Sequence, residues 1–421
     1  MKTDTSEGGG PGLYAFWIVV SASVMMAMTA PGQTIAVSVF VDPMIVGLDL
    51  TRSQMSVAYL IGTLGGAAAL PWVGRLIDRF GVRRASACVA SAFGLALIAM
   101  GGTRGFATLI LGFVGIRLLG QGSLSLISTT AVALWFSRRR GLAIGITTSV
   151  GAAGISLAPL VIAAIISRSG WRTAWLIAGV IVWVVVLPMT RILRDARPAT
   201  RSDPCVLASA PQVSPAASWS RAEAIRTLMF WTIAGAVGTT ALVTTGIAFH
   251  QISLLGERGL TVTQAASNFL PQTGAAIVVS FGMGALVDRF APRFLLVSTM
   301  GLLAGAIVLA QVARPGALAI AFGIAAGSST GAMKTLEATI VPRSFGVDHL
   351  GTIRGTMLAL QVGASAYGPT LLALGFERWR SYGPMLSLLL ILPTSVSVLA
   401  LFARVPDKPM LDHIKRRRQG G

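Results

Sequence analysis

The sequence predicts an all-α membrane protein of twelve spanning helices, arranged as two pseudo-symmetric six-helix bundles. Three observations carry that prediction. The 421 residues are 54% hydrophobic and only 12% charged, with a mean hydropathy of +0.74. A soluble domain of ordinary make-up carries about 25% charged residues, so most of this chain is built to meet lipid. About a dozen apolar stretches reach the roughly 20 residues that a spanning helix needs. Finally, the chain repeats itself. Gly74-Arg75-Leu76-Ile77-Asp78-Arg79-Phe80 returns 210 residues later as Gly284-Ala285-Leu286-Val287-Asp288-Arg289-Phe290, and Pro159 returns at the same offset as Pro369.

The expected spans follow in order. The first, 14–40, comes after a polar start with one lysine and is too long for a signal-peptide core, so it reads as an uncleaved span. Its Pro31-Gly32-Gln33 can break the helix locally and expose backbone groups. The second, 54–74, contains Tyr59 and runs into the loop Gly74–Arg84, GRLIDRFGVRR. In that loop Gly74 and Gly81 permit tight turns, and Asp78 can accept from a helix N-terminus or an arginine. The third, 85–103, is followed by the fourth, 106–135, in which Arg117, Gln121 and Ser125 stand at i, i+4 and i+8 and put polar groups on one α-helical face. The fifth, 142–166, holds the small-residue run Gly151–Pro159, expected as a packing surface. The sixth is 173–193.

Residues 191–227, rich in Arg, Pro, Ser and Ala, read as a linker with a short helix near Trp219–Arg226. Beyond it lie the spans 228–254, 264–287, 294–313, 316–342, 355–376 and 384–403. The expected domains are thus 1–190, the linker 191–227, a second bundle over 228–404, and a basic tail over 405–421. Two copies of a six-span unit in the same orientation imply an axis along the membrane normal, which is a carrier architecture.

The net charge of +19 has a topological reading rather than a nucleic-acid one. Twenty-four of the 34 Lys and Arg fall on the side of the termini and linker, eight on the other, and Arg117 and Lys334 inside spans. That bias places both termini in the cytoplasm, and the tail Lys415-Arg416-Arg417-Arg418 can also meet anionic lipid. Compactness and composition suggest a bacterial inner membrane. Cys88 and Cys205 form no disulfide framework, no metal-type Cys/His spacing occurs, and no cofactor is expected. The chain lacks the P-loop, H-E-x-x-H and G-x-S-x-G motifs, so an enzyme or an ATP-driven pump is not expected.

At GRLIDRFGVRR the chain resembles the major facilitator superfamily, whose signature loop joins helices two and three. The resemblance extends over nearly the whole chain and to Arg117-Leu118-Leu119-Gly120-Gln121-Gly122, which is similar to the family's R-x-x-x-Q-G motif. It implies the fold of that superfamily and alternating access without enzymatic activity. It also implies a conformational latch carried by Gly74, Asp78, Arg79 and Gly81, with a weaker copy at Asp288 and Arg289. Finer phrases resemble the bacterial monocarboxylate or oxalate/formate-like branch: Tyr14–Val19, Arg138–Ala143, Gly170-Trp171-Arg172 and Phe249-His250. Ser280 stands where that branch often places an arginine. Gly151–Pro159 matches the superfamily's antiporter motif only in part, with Ala158 replacing the glycine before proline.

Intramembrane charges are costly and by default mark function. Arg117 is expected either to meet a substrate or to be satisfied by carbonyls. Lys334 and Glu337, three apart in the tenth span, either neutralise each other or divide substrate contact and proton carriage. His250 can relay protons or simply hydrogen-bond at a helix end. Tyr59, Asn268, Gln272, Gln361 and Tyr367 are candidate cavity-lining groups. The expected substrate set is Arg117, Gln121, Lys334, Tyr59 and Gln361, with Glu337 and His250 as proton carriers. The expected function is secondary transport of a small organic anion by a monomer in lipid, with proton coupling or exchange. Efflux of drugs or an amphipathic metabolite, and a receptor-like sensor on a carrier fold, stay open.

Overall fold

The computed structural model describes residues 11–136, 140–193, 219–287, 289–346 and 349–403. Helix α1, Pro11–Ala27, and helix α2, Thr34–Leu48, form the first span, separated by a 3-10 turn over Ala30–Gly32. The break arises where Pro31 lacks an N–H and Gln33 turns extended (ψ 148). A Thr51/Gln54 capping box then starts helix α3, Arg52–Gly101, which carries both the second and third spans. The chain reverses within it at Gly81, φ 79 and ψ 166, a conformation open to glycine and strained for other residues.

The loop expected between 74 and 85 is therefore helical on both sides of one residue. Gly74 is part of the helix, and the tight turn belongs to Gly81 alone. Apolar run length marks where hydrocarbon ends. The helix itself continues into the polar interface, where arginine heads reach water from helical positions.

The fourth span is helix α4, Phe106–Ile116, then a π-helical segment over Arg117–Leu124, then helix α5, Ser125–Trp135. Helix α6, Arg140–Ile192, holds the fifth and sixth spans and reverses at Gly170, φ 77 and ψ 165. The expected helix after the linker is helix α7, Arg221–Ala224, closed by a Ser220/Glu223 capping box. Helix α8 is Leu228–Gly256, helices α9 and α10 are Val262–Ser267 and Phe269–Val287, and helix α11 is Pro292–Val312. Helix α12 is Ala317–Phe345, helix α13 is Leu350–Trp379, and helices α14 and α15 are Gly383–Leu389 and Ile391–Phe402. Every expected span thus has its helix. Pro159 and Pro369 both lie within helical stretches, of α6 and α13, so neither proline breaks its span. A proline removes one ladder bond, and neighbouring helices hold the remainder in place.

By contacts the chain falls into two units, Met1–Val206 with Ile247–Thr273, and Leu207–Gly246 with Gly274–Gly421. In the first unit the expected small-residue surface is used. A Cβ added at Gly151 or Gly154 would lie 2.3 Å from Met26 and 2.5 Å from Ala27. Trp175 stacks on Phe40 at 3.8 Å, and Arg172 Nη1 donates to the carbonyls of Gly101 and Thr103, closing the end of α3. In the second unit backbones touch. A Cβ at Gly331 would meet Ala276 O at 2.2 Å, and one at Gly368 would meet Leu242 O at 2.1 Å. Large apolar side chains such as Leu111, Val184, Val278, Phe281 and Phe402 point outward, as lipid contact requires.

Candidate functional site

The site grows from the break in the first span. A Cβ at Gly32 would lie 2.5 Å from Ile116 O and 3.1 Å from Gln121 N, so only glycine lets this turn lie against the π-helical segment. Arg117 opens that segment and is buried. Its Nε donates to Thr63 Oγ1 at 3.1 Å, and its Nη1 donates to Gly32 O at 3.2 Å and Thr34 Oγ1 at 3.4 Å. The guanidinium lies 4.8 Å from the centroid of the Tyr59 ring, a cation–π contact. The Tyr59 hydroxyl bonds Thr34 Oγ1 at 2.5 Å. Every partner is neutral. The ion pair Arg52–Asp42, 2.6 Å, involves none of these groups. Arg117 Nη2 makes no hydrogen bond among the described residues. The turn carbonyl of Gly32, freed by the break, thus helps hold a cation that has no carboxylate partner among the described residues.

Tyr59 also contacts Phe249 (4.6 Å, tilted) and Phe113 (5.6 Å, edge-on). His250 is buried beside Phe249, with its Nε2 3.4 Å from Ser56 Oγ. An amide chain follows. Gln272 Nε2 donates to Gln251 Oε1 at 2.8 Å and to Asn268 Oδ1 at 3.1 Å, and Gln251 Nε2 donates to Ala265 O at 3.0 Å. Gln121 follows Arg117 on the π-helical segment, and its Oε1 is buried without a hydrogen-bond partner among the described residues. The π-helix alters the sequence argument here. Its bonds run i→i+5 rather than i→i+4, so the regular α-helical register assumed from Arg117 to Ser125 is interrupted there. Such segments recur at functional sites.

The second unit holds the other expected residues apart. Lys334 is exposed on helix α12 and Glu337 is half-buried one turn on. They form no ion pair, which removes the mutual-neutralisation reading. Gln361 is half-buried and Tyr367 is 52% exposed on helix α13. Ser280 donates to Gly331 O at 3.1 Å, and Thr335 donates to Ser280 O at 3.2 Å. Of the residues expected to form a latch, Gly74 and Asp78 lie outside the residues whose side chains are described, and Asp288 lies outside the described residues. Arg79 and Arg289 are exposed, and Arg79 lies over Phe80 at 5.3 Å. Arg343 Nη1 donates to Val287 O at 2.9 Å at the end of helix α10.

Sequence reasoning expected exposed backbone at Pro31-Gly32-Gln33 but missed Ser56, Thr63 and Thr34. A signal existed for two of them. Ser56, Tyr59 and Thr63 are spaced i, i+3 and i+7, one polar face within an apolar span.

Three comparisons place the chain. A match to the Bacillus subtilis protein named "Uncharacterized MFS-type transporter YcxA" is 28% identical over 180 residues, 41% of this chain and 43% of that protein. A second, to the Cupriavidus necator "Probable sulfoacetate transporter SauU", is 28% identical over 138 residues, 32% of this chain and 31% of that one. The chain therefore spans less than half the length of these curated relatives. Among solved structures, a bacterial homologue of the human lysosomal transporter Spinster, inward-facing and occupied, shares the fold. Its TM-score is 0.70 at 18% identity, covering 95% of this chain and 99% of that one. The unoccupied inward-facing form gives 0.64 at 19% identity, covering 94% and 95%. The family model of the Major Facilitator Superfamily matches residues 16–369, most of the chain. With its apolar helices and its shared fold, this chain belongs to the Major Facilitator Superfamily.

Proposed function

We propose that this MFS transporter moves a small organic anion by alternating access, with Arg117 as the anion-binding group. One observation carries the reading: a buried guanidinium held only by neutral oxygens and an aromatic ring, with Nη2 unspent. A buried charge without a partner costs several kcal/mol (roughly) unless something of opposite sign joins it. A transported anion supplies that sign. The relative whose name specifies sulfoacetate, a small organic anion, supports the substrate class. Tyr59 would flank the anion, and Gln121 would contact it from the same segment. His250 or Glu337 would carry a coupling proton. The chain would act as a monomer in a bacterial inner membrane with both termini cytoplasmic. Arg79 and Arg289 would belong to the latch.

The test is thermal stabilisation of the purified protein in detergent. Small carboxylates, small sulfonates, amino acids, sugars and cationic dyes are compared at pH 5.5 and 7.5, and uptake into proteoliposomes follows. A ligand at 100 times its Kd stabilises the folded state by about 2.7 kcal/mol. Stabilisation by an organic anion, lost in Arg117→Gln, is expected. Stabilisation by dyes alone, unchanged in Arg117→Gln, would sink the anion reading in favour of efflux.

A further inference from the structure

The ring of Tyr59 lies 4.8 Å from the Arg117 guanidinium, so whatever fixes that ring also shapes the field at the anion-binding group. Two of its contacts belong to the Arg117 cage itself. The hydroxyl bonds Thr34 Oγ1, which also accepts from Arg117, and the ring meets Phe113 edge-on, one turn before Arg117 in the fourth span. The contact with Phe249 is of another kind. Its ring is tilted 54° to Tyr59 at 4.6 Å, and it arrives from the second half of the sequence.

Phe249 stands on helix α8, a single helix from Leu228 to Gly256. The residues of α8 up to Gly246 group with the second unit, and those from Ile247 with the first. At Gly246 the helix is seated on α13, where an added Cβ would lie 2.9 Å from Gly368 O. About one turn later Phe249 meets Tyr59, and His250 Nε2 lies 3.4 Å from Ser56 Oγ. Gln251 is braced in turn, accepting from Gln272 Nε2 at 2.8 Å and donating to Ala265 O at 3.0 Å. Phe249 and Tyr59 are both fully buried. In a close-packed interior neither ring shifts without displacing the other. One stiff helix therefore carries both the seat on α13 and the contact on Tyr59.

We propose, resting on the anion reading above, that Phe249 is a positioning residue. It holds the Tyr59 ring against the Arg117 guanidinium, and so makes anion affinity depend on where helix α8 is seated. It acts through Tyr59 rather than on the anion. Coupling of this kind is reciprocal, so a bound anion steadies the end of α8 by the same factor.

The experiment titrates small carboxylates and sulfonates against the purified full-length protein, below its melting temperature. Wild type is compared with Phe249→Leu, Tyr59→Leu and the double variant. Phe249→Leu is expected to weaken binding about fivefold. In the Tyr59→Leu background the same change is expected to add less than about twofold, because the ring it acts through is gone. Phe40→Leu truncates another fully buried ring, the one stacked on Trp175, and controls for loosened packing. It is expected to lower the melting temperature and keep anion affinity within about twofold. Wild-type binding unchanged in Phe249→Leu would overturn the proposal and leave the anion reading standing. So would equal losses in Phe249→Leu and Phe40→Leu, or a fivefold loss that persists without the Tyr59 ring. If Phe249→Leu does not fold, hydrogen exchange on the wild type decides. A saturating anion is expected to slow exchange over 249–256 at least about threefold and to leave helix α11 unchanged; no slowing over 249–256 overturns the proposal. Absence of anion binding, or binding indifferent to Arg117→Gln, would remove the anion reading and this proposal together.

Discussion

The two units treat their intramembrane cations in opposite ways. In the first, Arg117 is buried at a backbone break, caged by Thr63, Thr34, Gly32 O and the Tyr59 ring. In the second, Lys334 is exposed on an uninterrupted helix, and the polar contact nearby joins Ser280 to Gly331 O, backbone packing rather than charge handling. The halves share a sequence repeat, yet among the described residues the enclosed intramembrane cation is in the first unit. The lesson is that duplication copies topology. A binding group needs a local departure from regular structure as well. Here the departure is double, a 3-10 turn facing a π-helical segment across Gly32. The second unit uses its glycines instead to let helices touch, at Gly331 and Gly368.

That contrast breaks most easily at Arg117. Arg117→Gln is expected to cost about 2 kcal/mol or more in anion binding, roughly 30-fold. Arg117→Lys should retain part of the uptake, since the charge survives while the fork of donors to Thr63 and Gly32 does not. Equal uptake by both variants, measured in proteoliposomes, would refute the charge assignment. Gly368→Leu should destabilise the second unit by about 1–3 kcal/mol through overpacking against Leu242 O. Gly305→Ala, with nothing within 4 Å of the added Cβ, should leave the melting temperature nearly unchanged. If the two glycine variants melt alike, close backbone approach is not what holds that unit.

Smaller effects sharpen the comparison. Tyr59→Phe keeps the ring under the guanidinium and removes the bond to Thr34, so about 1 kcal/mol of affinity, near fivefold, should be lost. Lys334→Gln should lower affinity by less than about threefold, as befits an exposed charge. A loss on Lys334→Gln as large as on Arg117→Gln, in the same binding assay, would erase the distinction between the units.

Much of the fold was legible in the sequence because lipid imposes a strong rule. A spanning helix must be apolar over its length, so all twelve expected spans appear as helices. Gly81 was legible as a turn, and Pro31-Gly32-Gln33 as a break. The extent of the helices was not, because α3 and α6 continue through interfaces that hydropathy scores as loop. Of the site, Arg117, Tyr59 and Gln121 were legible as polar residues in apolar runs. Their partners were not. Thr34 and Thr63 read as ordinary span residues until the second and fourth spans pack around the break in the first.

By itself, then, the sequence determined the class of the molecule, the number and order of its spans, the repeat and the residues able to carry charge through lipid. Those features follow from local composition and spacing, which the membrane reads one segment at a time. Tertiary structure decided which charge is enclosed. It seated Gly32 against the π-helical segment, spent two of the three guanidinium nitrogens of Arg117 on neutral oxygens, and left Gln121 Oε1 buried without a donor among the described residues. Whether a polar atom is satisfied depends on residues tens of positions away in the chain, and only packing brings those together.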